Sequence, residues 1–256
     1  MRPYYISKIN FQLCIADIRM NDVPLYKGSS EGQIAVNYPS NQCILESGIQ
    51  TISVNIKPLY GQLSLSEDSH CYVEVWLCNV DSLKIEFVKK VSDISFDVNG
   101  EGEFPITYKK STFEAEVPYV ITRWSDCISL KEIDSLFSSV KTYYDNIGKM
   151  VQKRDFTIYN SILTEREREV GVALYLTQSQ VEERIFSLQK YLTNEYEYVQ
   201  IKNDCFLHFY AAGKAVSLLM ADMSSALKFV NKSTGTSINV NVMLGYKRGF
   251  THFVIV

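Results

Sequence analysis

The sequence predicts a two-part chain, an antiparallel β-sandwich followed by an α+β domain. Three observations carry that expectation. Residues 4–121 alternate apolar and polar side chains with a period of two, the mark of half-buried antiparallel strands. From residue 129 the apolar positions recur at helical spacing. From residue 195 strand-like runs return, so helices precede a meander that curls over them. The expected domains are a β-sandwich at 1–122 and a helical segment plus antiparallel meander at 129–256, with the boundary near Arg123–Ile128.

In the first strand Tyr5, Ile9, Phe11, Leu13 and Ile15 face one way and Lys8, Asn10 and Gln12 the other. Ile34, Val36 and Tyr38 alternate with Gln33, Ala35 and Asn37, and Ile52, Val54 and Ile56 with Thr51, Ser53 and Asn55. Turn dipeptides separate the runs: Asn21-Asp22, Lys27-Gly28, Ser47-Gly48, Tyr60-Gly61 and Asn99-Gly100. The run Cys71–Cys78 is apolar on both faces except at Glu74, which predicts a central strand with Val75 and Trp76 largely buried. Short strands with turns about every ten residues read as a sandwich.

Ser129-Leu-Lys-Glu132 has the capping-box pattern, in which a hydroxyl and a carboxylate each satisfy a free backbone N–H. Ile133, Leu136, Phe137, Val140, Tyr144, Ile147 and Val151 then form one apolar stripe. Asp155 is placed to cap a short helix containing Phe156, Tyr159, Ile162 and Leu163. Thr164-Glu-Arg-Glu167 and Ser179-Gln-Val-Glu182 suggest two further helix starts, the last helix carrying Val181, Ile185, Leu188 and Leu192. The strands expected after it are 196–201, 205–211, 215–221, 226–231, 237–244 and 250–256, with Gly213, Gly235 and Gly249 at turns.

The chain of 256 residues has 46% hydrophobic and 21% charged side chains and a formal charge of −3, so a protein devoted to nucleic acid is not expected. Residues 1–128 carry 11 basic and 16 acidic side chains, net −5, and residues 129–256 carry 15 and 13, net +2. The N-terminal segment is too polar for a signal peptide, and no apolar run is long enough for a membrane span. The expectation is therefore a cytoplasmic protein whose six cysteines are reduced thiols used as small apolar residues.

Catalytic patterns are weak. There is no G-x-S-x-G elbow, and the three histidines are His70, His208 and His252. Cys205 and His208 lie three apart, which on a strand sends them to opposite faces. His70 and Cys71 diverge likewise. No C-x-x-C or EF-hand spacing points to a metal, and no cofactor is expected. Asn99-Gly-Glu-Gly102 lies between two strands and reads as a hairpin turn, not a phosphate loop.

What remains points to recognition. Tyr143 and Tyr144 lie a helical step apart, so one of them leaves the core stripe. Tyr191, Tyr196 and Tyr198 cluster at the entry to the last strands, and tyrosine suits contact surfaces. The run Glu165-Arg-Glu-Arg-Glu169 reads as a solvated helix face or as a docking face for a charged partner. Candidate partner-binding residues are thus Tyr143, Tyr191, Tyr196, Tyr198, Glu165 and Glu167. The acidic first half suits steering of a basic partner.

The segments Leu13–Leu25, Pro39–Gly48, Thr51–Val54 and His252–Val256 together resemble a group of uncharacterised bacterial proteins. These have an N-terminal β-sandwich, a helical segment and a closing meander, and they often occur near toxin systems. The turn-and-strand pattern is also similar to galactose-binding-like sandwiches. The order of elements after residue 129, with the Asp155–Leu163 helix, resembles the NTF2-like cone fold, whose pocket lies between helix and sheet. The resemblance to the proteins found near toxin systems implies an immunity protein that neutralises a cognate toxin by occlusion. The alternatives are a carbohydrate or small-ligand binding module, or an NTF2-like enzyme. No catalytic residue is carried over, and the oligomeric state is left open.

Overall fold

The computed structural model describes residues 2–81, 84–98 and 105–256, and the turn expected at 99–102 lies outside them. Antiparallel strands dominate. The chain divides into two units, Met1–Ile121 and Thr122–Val256.

The first unit contains β1 (Pro3–Met20), β2 (Val23–Pro39), β3 (Gly48–Lys57), β4 (His70–Asp81), β5 (Lys84–Asp97) and β6 (Thr107–Ala115). All belong to one hydrogen-bonded sheet, ordered β5-β4-β1-β3-β6, with β2 on the other edge of β1. Its organising feature is a bulge at Leu13, where φ is 51° and the pairing with β2 slips between Gln12 and Cys14. The slip reverses the inward phase. Ile9 and Phe11 are buried before it, and Cys14, Ala16, Ile18 and Met20 after it. Leu13 and Ile15, expected on the face of Phe11, are only half-buried for that reason.

Before the bulge β1 pairs with β4, and after it with β3, along the same edge. The sheet curls until its terminal strands meet. Ser92 Oγ of β5 lies 2.9 Å from Ser111 Oγ of β6, and Lys109 Nζ donates to the Ser95 carbonyl at 2.6 Å.

Asn21 and Asp22, with φ of 53° and 60°, close the β1–β2 hairpin as their sequence suggests. Lys27-Gly28 does not turn. Both residues lie inside β2, where a Cβ on Gly28 would press on the Phe11 and Tyr26 rings, 3.0 Å from Cζ of Phe11. Among the described residues of this unit the only helical segment is a 3-10 turn at Asn41–Cys43.

Strand β4 is central, between β1 and β5, as its apolar run suggests. Val75 is fully buried, but Trp76 is only half-buried. It packs beside Lys8, whose Nζ is 4.6 Å from the ring centroid, and edge-on to Phe87 at 5.8 Å; its Nε1–H donates to Glu74 Oε2 at 2.8 Å. Trp76→Ala should therefore cost about 1–2 kcal/mol in urea melts, not the ~3–5 kcal/mol of a tryptophan lost from a core. A loss in the upper range would return the ring to the core.

The second unit begins its helices at α1 (Leu136–Gln152), followed by α2 (Phe156–Ala173), α3 (Gln178–Ile185) and α4 (Ser187–Tyr191). The box at Ser129 starts no helix. Leu130 is fully buried and its N–H donates to the Gly213 carbonyl at 2.8 Å, which anchors the segment outside α1. Asp155 does cap α2, accepting from the Ile158 N–H at 3.5 Å. The helix then runs straight through Thr164, whose hydroxyl donates back to the Asn160 carbonyl at 3.0 Å. The two helices expected there are one. The capping box of α3 sits two residues earlier than expected, on Thr177 and Gln180.

The strands of this unit are β7 (Tyr196–Val199), β8 (Cys205–Tyr210), β9 (Ala215–Met220), β10 (Lys228–Asn231), β11 (Ser237–Asn239), β12 (Leu244–Gly245) and β13 (Val254–Ile255). They form two sheets, β11-β10-β7 and β13-β12-β9-β8, where one meander was expected. The run 237–244 is broken because its middle bonds elsewhere. Val240 N–H donates to Leu227, and the Val242 carbonyl accepts from Tyr144 and Ser217. The apolar stripe of α1 (Leu136, Val140, Tyr144, Ile147 and Val151) is buried in one core with Val216, Leu218, Leu227, Phe229 and Leu244. Two glycines allow close packing, of α1 on β7 and of α2 on α3. A Cβ on Gly148 would enter the Tyr198 ring, and one on Gly171 would collide with Val181.

Candidate functional site

One face of α2 presents Tyr159, Leu163, Arg166 and Glu167, at spacings that keep them on neighbouring turns. Across from it, α3 contributes Arg184 and α4 contributes Ser187, Leu188 and Tyr191, and the segment Ile238–Val242 closes a third side. These walls bound a cleft of about 490 Å³, within the size range of small-molecule sites.

Its charged wall is built on Glu167, which is 1% exposed. The carboxylate accepts from Arg166 Nη2 and from Arg184 Nε, the latter at 2.7 Å. Burial alone pushes the carboxyl upward, but the two guanidinium charges and their hydrogen bonds outweigh it and hold Glu167 below the usual carboxylate range. Arg166 Nε is buried with no hydrogen-bond partner among the described residues. Tyr159 is 3% exposed, and burial pushes its hydroxyl up to about 12, so it stays a neutral donor. Tyr191 is 70% exposed.

Of the residues singled out in the sequence, only Glu167 and Tyr191 meet here. Glu167 is too deeply buried to cover a partner's surface, and its part is to hold the two arginines. Glu165 is exposed and pairs with Lys247. Glu169 accepts from the backbone N–H groups of Thr122, at 2.8 Å, and Arg123, at 3.1 Å. The run 165–169 is thus neither a uniform solvated face nor a uniform docking face. Tyr143 is half-buried against Phe253, with ring centroids 6.1 Å apart. Tyr198 lies on Gly148 and donates its hydroxyl to Asp145 Oδ1 at 2.5 Å, and Tyr196 reaches Thr236 at 3.3 Å. These three rings are engaged in the unit's own packing.

Tyr159, Arg166 and Arg184 line the cleft without having been binding candidates in the sequence, where Tyr159 reads only as an apolar helix position. Arg166 lay in view within the charged run. Arg184 stands on another helix, and no spacing in the sequence ties it to Glu167.

A second groove, of about 540 Å³, runs between α2 and α3 and includes Arg154 and Asn160. Its Arg154 is committed to the Leu192 and Thr193 carbonyls. On β8, Cys205 is buried and its thiol donates to the Lys202 carbonyl at 3.2 Å, while the His208 ring lies 4.8 Å from that of Tyr210. They point apart, as their spacing requires.

All six cysteines are buried and free. Burial pushes the Cys14, Cys78 and Cys127 thiols up to about 11 and raises Cys71 and Cys205 as well. Iodoacetamide at pH 8 should therefore label the native protein far more slowly than the urea-unfolded chain, as read by intact mass. Rapid labelling of one site in the native state would identify a thiol held in a different environment. No described helix is long and apolar enough to cross a membrane. Set against known protein families, curated proteins and solved structures, the chain matches none of them.

Proposed function

We propose that this chain is a non-enzymatic protein that binds another protein, most concretely an immunity protein that neutralises a bacterial toxin in the cytoplasm by covering it. The observation behind this is the cleft, where an exposed tyrosine and two arginines stand together beside apolar side chains. Tyrosine and arginine are the residues that most often dominate contact energies. The divergence of Cys205 and His208 speaks against a thiol–imidazole step. In this picture the curled first sheet serves as a β-sandwich whose net charge of −5 over residues 1–128 steers a basic partner. The second unit is then an NTF2-like arrangement with its cleft between helices and sheet.

The test is co-expression with a candidate toxin, followed by size-exclusion chromatography and calorimetry of the complex. A stoichiometric complex is expected, weakened about 30-fold by Tyr191→Ala if that ring is a hot spot. His208→Ala and Cys205→Ser should leave it unchanged. Turnover of a small substrate that vanishes on replacing His208 would overturn the proposal in favour of an NTF2-like enzyme. One observation favours a second reading, a carbohydrate-binding module. A groove of about 380 Å³ on the first unit is lined by Lys8, Asn10, Asn37, Tyr72 and Glu74, a polar set around one aromatic ring. Titration with mono- and oligosaccharides against Tyr72→Ala separates the two.

A further inference from the structure

The charges around the α2–α4 cleft do not balance. Glu167 is one carboxylate between two guanidiniums, and it engages only Nη2 of Arg166 and Nε of Arg184. Each guanidinium carries five N–H donors, so most of them are left over. Arg166 is already short of acceptors, since its Nε is buried without a partner among the described residues. Tyr159 lines the same cleft, almost wholly buried, and its hydroxyl has no hydrogen-bond partner among the described residues. The other lining side chains include the apolar Leu163, Leu188, Ile238 and Val240 and the polar Ser187, Asn239 and Asn241. A surplus positive charge and a neutral hydroxyl donor therefore face a wall that is mainly, not wholly, apolar.

From this we infer that the cleft binds a carboxylate carried on an apolar body. A carboxylate fits the planar fork of a guanidinium with two parallel hydrogen bonds, and it can take the tyrosine hydroxyl as a third donor. A neutral sugar would leave the surplus charge unmet and the apolar wall wet. An ammonium group would meet two like charges. The inference deepens the binding role proposed above and rests on the cleft being the contact site. There the group is the C-terminal carboxylate of a partner chain ending in apolar residues. A free aliphatic acid shares the same chemistry.

The experiment is calorimetric titration of the full chain with four probes: acetyl-Leu-Leu-Phe as the free acid, the same peptide as its C-terminal amide, octanoate and octanol. The free-acid peptide should bind, and the amide at least tenfold more weakly. Arg184→Gln should lose at least tenfold, while Arg168→Gln, outside the cleft, should lose less than twofold. Because Arg184 also holds Glu167, Tyr159→Phe serves as the second variant. It keeps the ring, should leave the melting temperature unchanged, and should weaken the acid about threefold.

Octanoate binding more tightly than octanol extends the site to free acids. Octanoate failing where the peptide acid succeeds assigns the source to a protein terminus. The inference is overturned if acid and amide bind alike, if neither acid binds at millimolar concentration, or if both cleft variants bind as the parent does. A toxin complex that survives such a result leaves the binding role standing. Acid binding with no protein complex has the reverse meaning.

Discussion

Replacing Tyr144 with alanine should destabilise the second unit by about 4 kcal/mol or more, the largest loss expected from any single substitution discussed. The side chain is fully buried in the core, so truncation leaves a ring-sized cavity. Its hydroxyl donates to the Val242 carbonyl at 2.5 Å and accepts from the Leu218 N–H at 3.0 Å. Tyr144→Phe separates the two contributions. The ring stays, and Val242 keeps the hydrogen bond from Ser217 Oγ at 2.7 Å. Leu218 N–H, however, loses its tyrosine acceptor inside a dry core, which costs about 1–3 kcal/mol. The two tryptophans, Trp76 and Trp124, lie in different units. In a Trp76→Phe background, Trp124 fluorescence therefore follows the second unit alone during urea unfolding. A Tyr144→Phe loss below about 0.5 kcal/mol would mean that Leu218 has found another acceptor.

Glu167→Gln should cost about 2–3 kcal/mol at pH 7. It leaves two guanidiniums facing each other with no countercharge. Breaking a fully buried pair costs about 3–5 kcal/mol, and the 40% exposure of the Arg184 side chain moves this case below that range. The pH dependence has a definite sign. Glu167 is held below its ordinary range in the folded state, so its stabilising contribution is complete above the unfolded carboxylate pKa of about 4.3. The contribution is lost as pH falls through the lower, folded value. Parent and variant should therefore differ most at pH 6–7 and converge in acid. A difference that grows as the pH drops would contradict the pairing.

These two residues also show what the sequence could and could not reveal. Tyr144 was legible, because seven apolar positions at helical spacing placed it on the buried stripe of α1. The Asn21-Asp22 turn and the Asp155 cap were legible too, since each is decided within a few residues of chain. Capping boxes were less reliable. The hydroxyl of Thr164 prefers a carbonyl one turn back, and Leu130 is tied to Gly213, a partner far along the chain. Trp76 was misplaced because an apolar run does not show where a bulge shifts a strand's facing. The pairing of β4 with β5 slips between Val75 and Trp76, and again between Leu77 and Cys78. The cleft was the least visible. Glu167 and Arg184 are brought together by the packing of α3 on α2, which depends on Gly171 leaving room for Val181.

Strand β1 carries a consequence for the order in which the first unit assembles. Among the described strands it alone pairs with both β4 and β3, so the two halves of the curled sheet cannot be joined until β1 is extended. The β1–β2 hairpin closes through two residues at almost no loop-closure cost, whereas β3–β6 brings Gly48 to Ala115 across a long stretch of chain. The cheapest routes start with the local pairs, β1–β2 and β4–β5, and add the distant pairings afterwards. Asp22→Ala, which strains the turn at its positive φ, should then slow refolding more than it speeds unfolding in stopped-flow experiments, and the opposite partition would place the turn late in folding. A two-residue turn, whose Asn21 side chain also holds Cys43, Gln50 and Thr51, is thus expected to set how quickly the first unit is built.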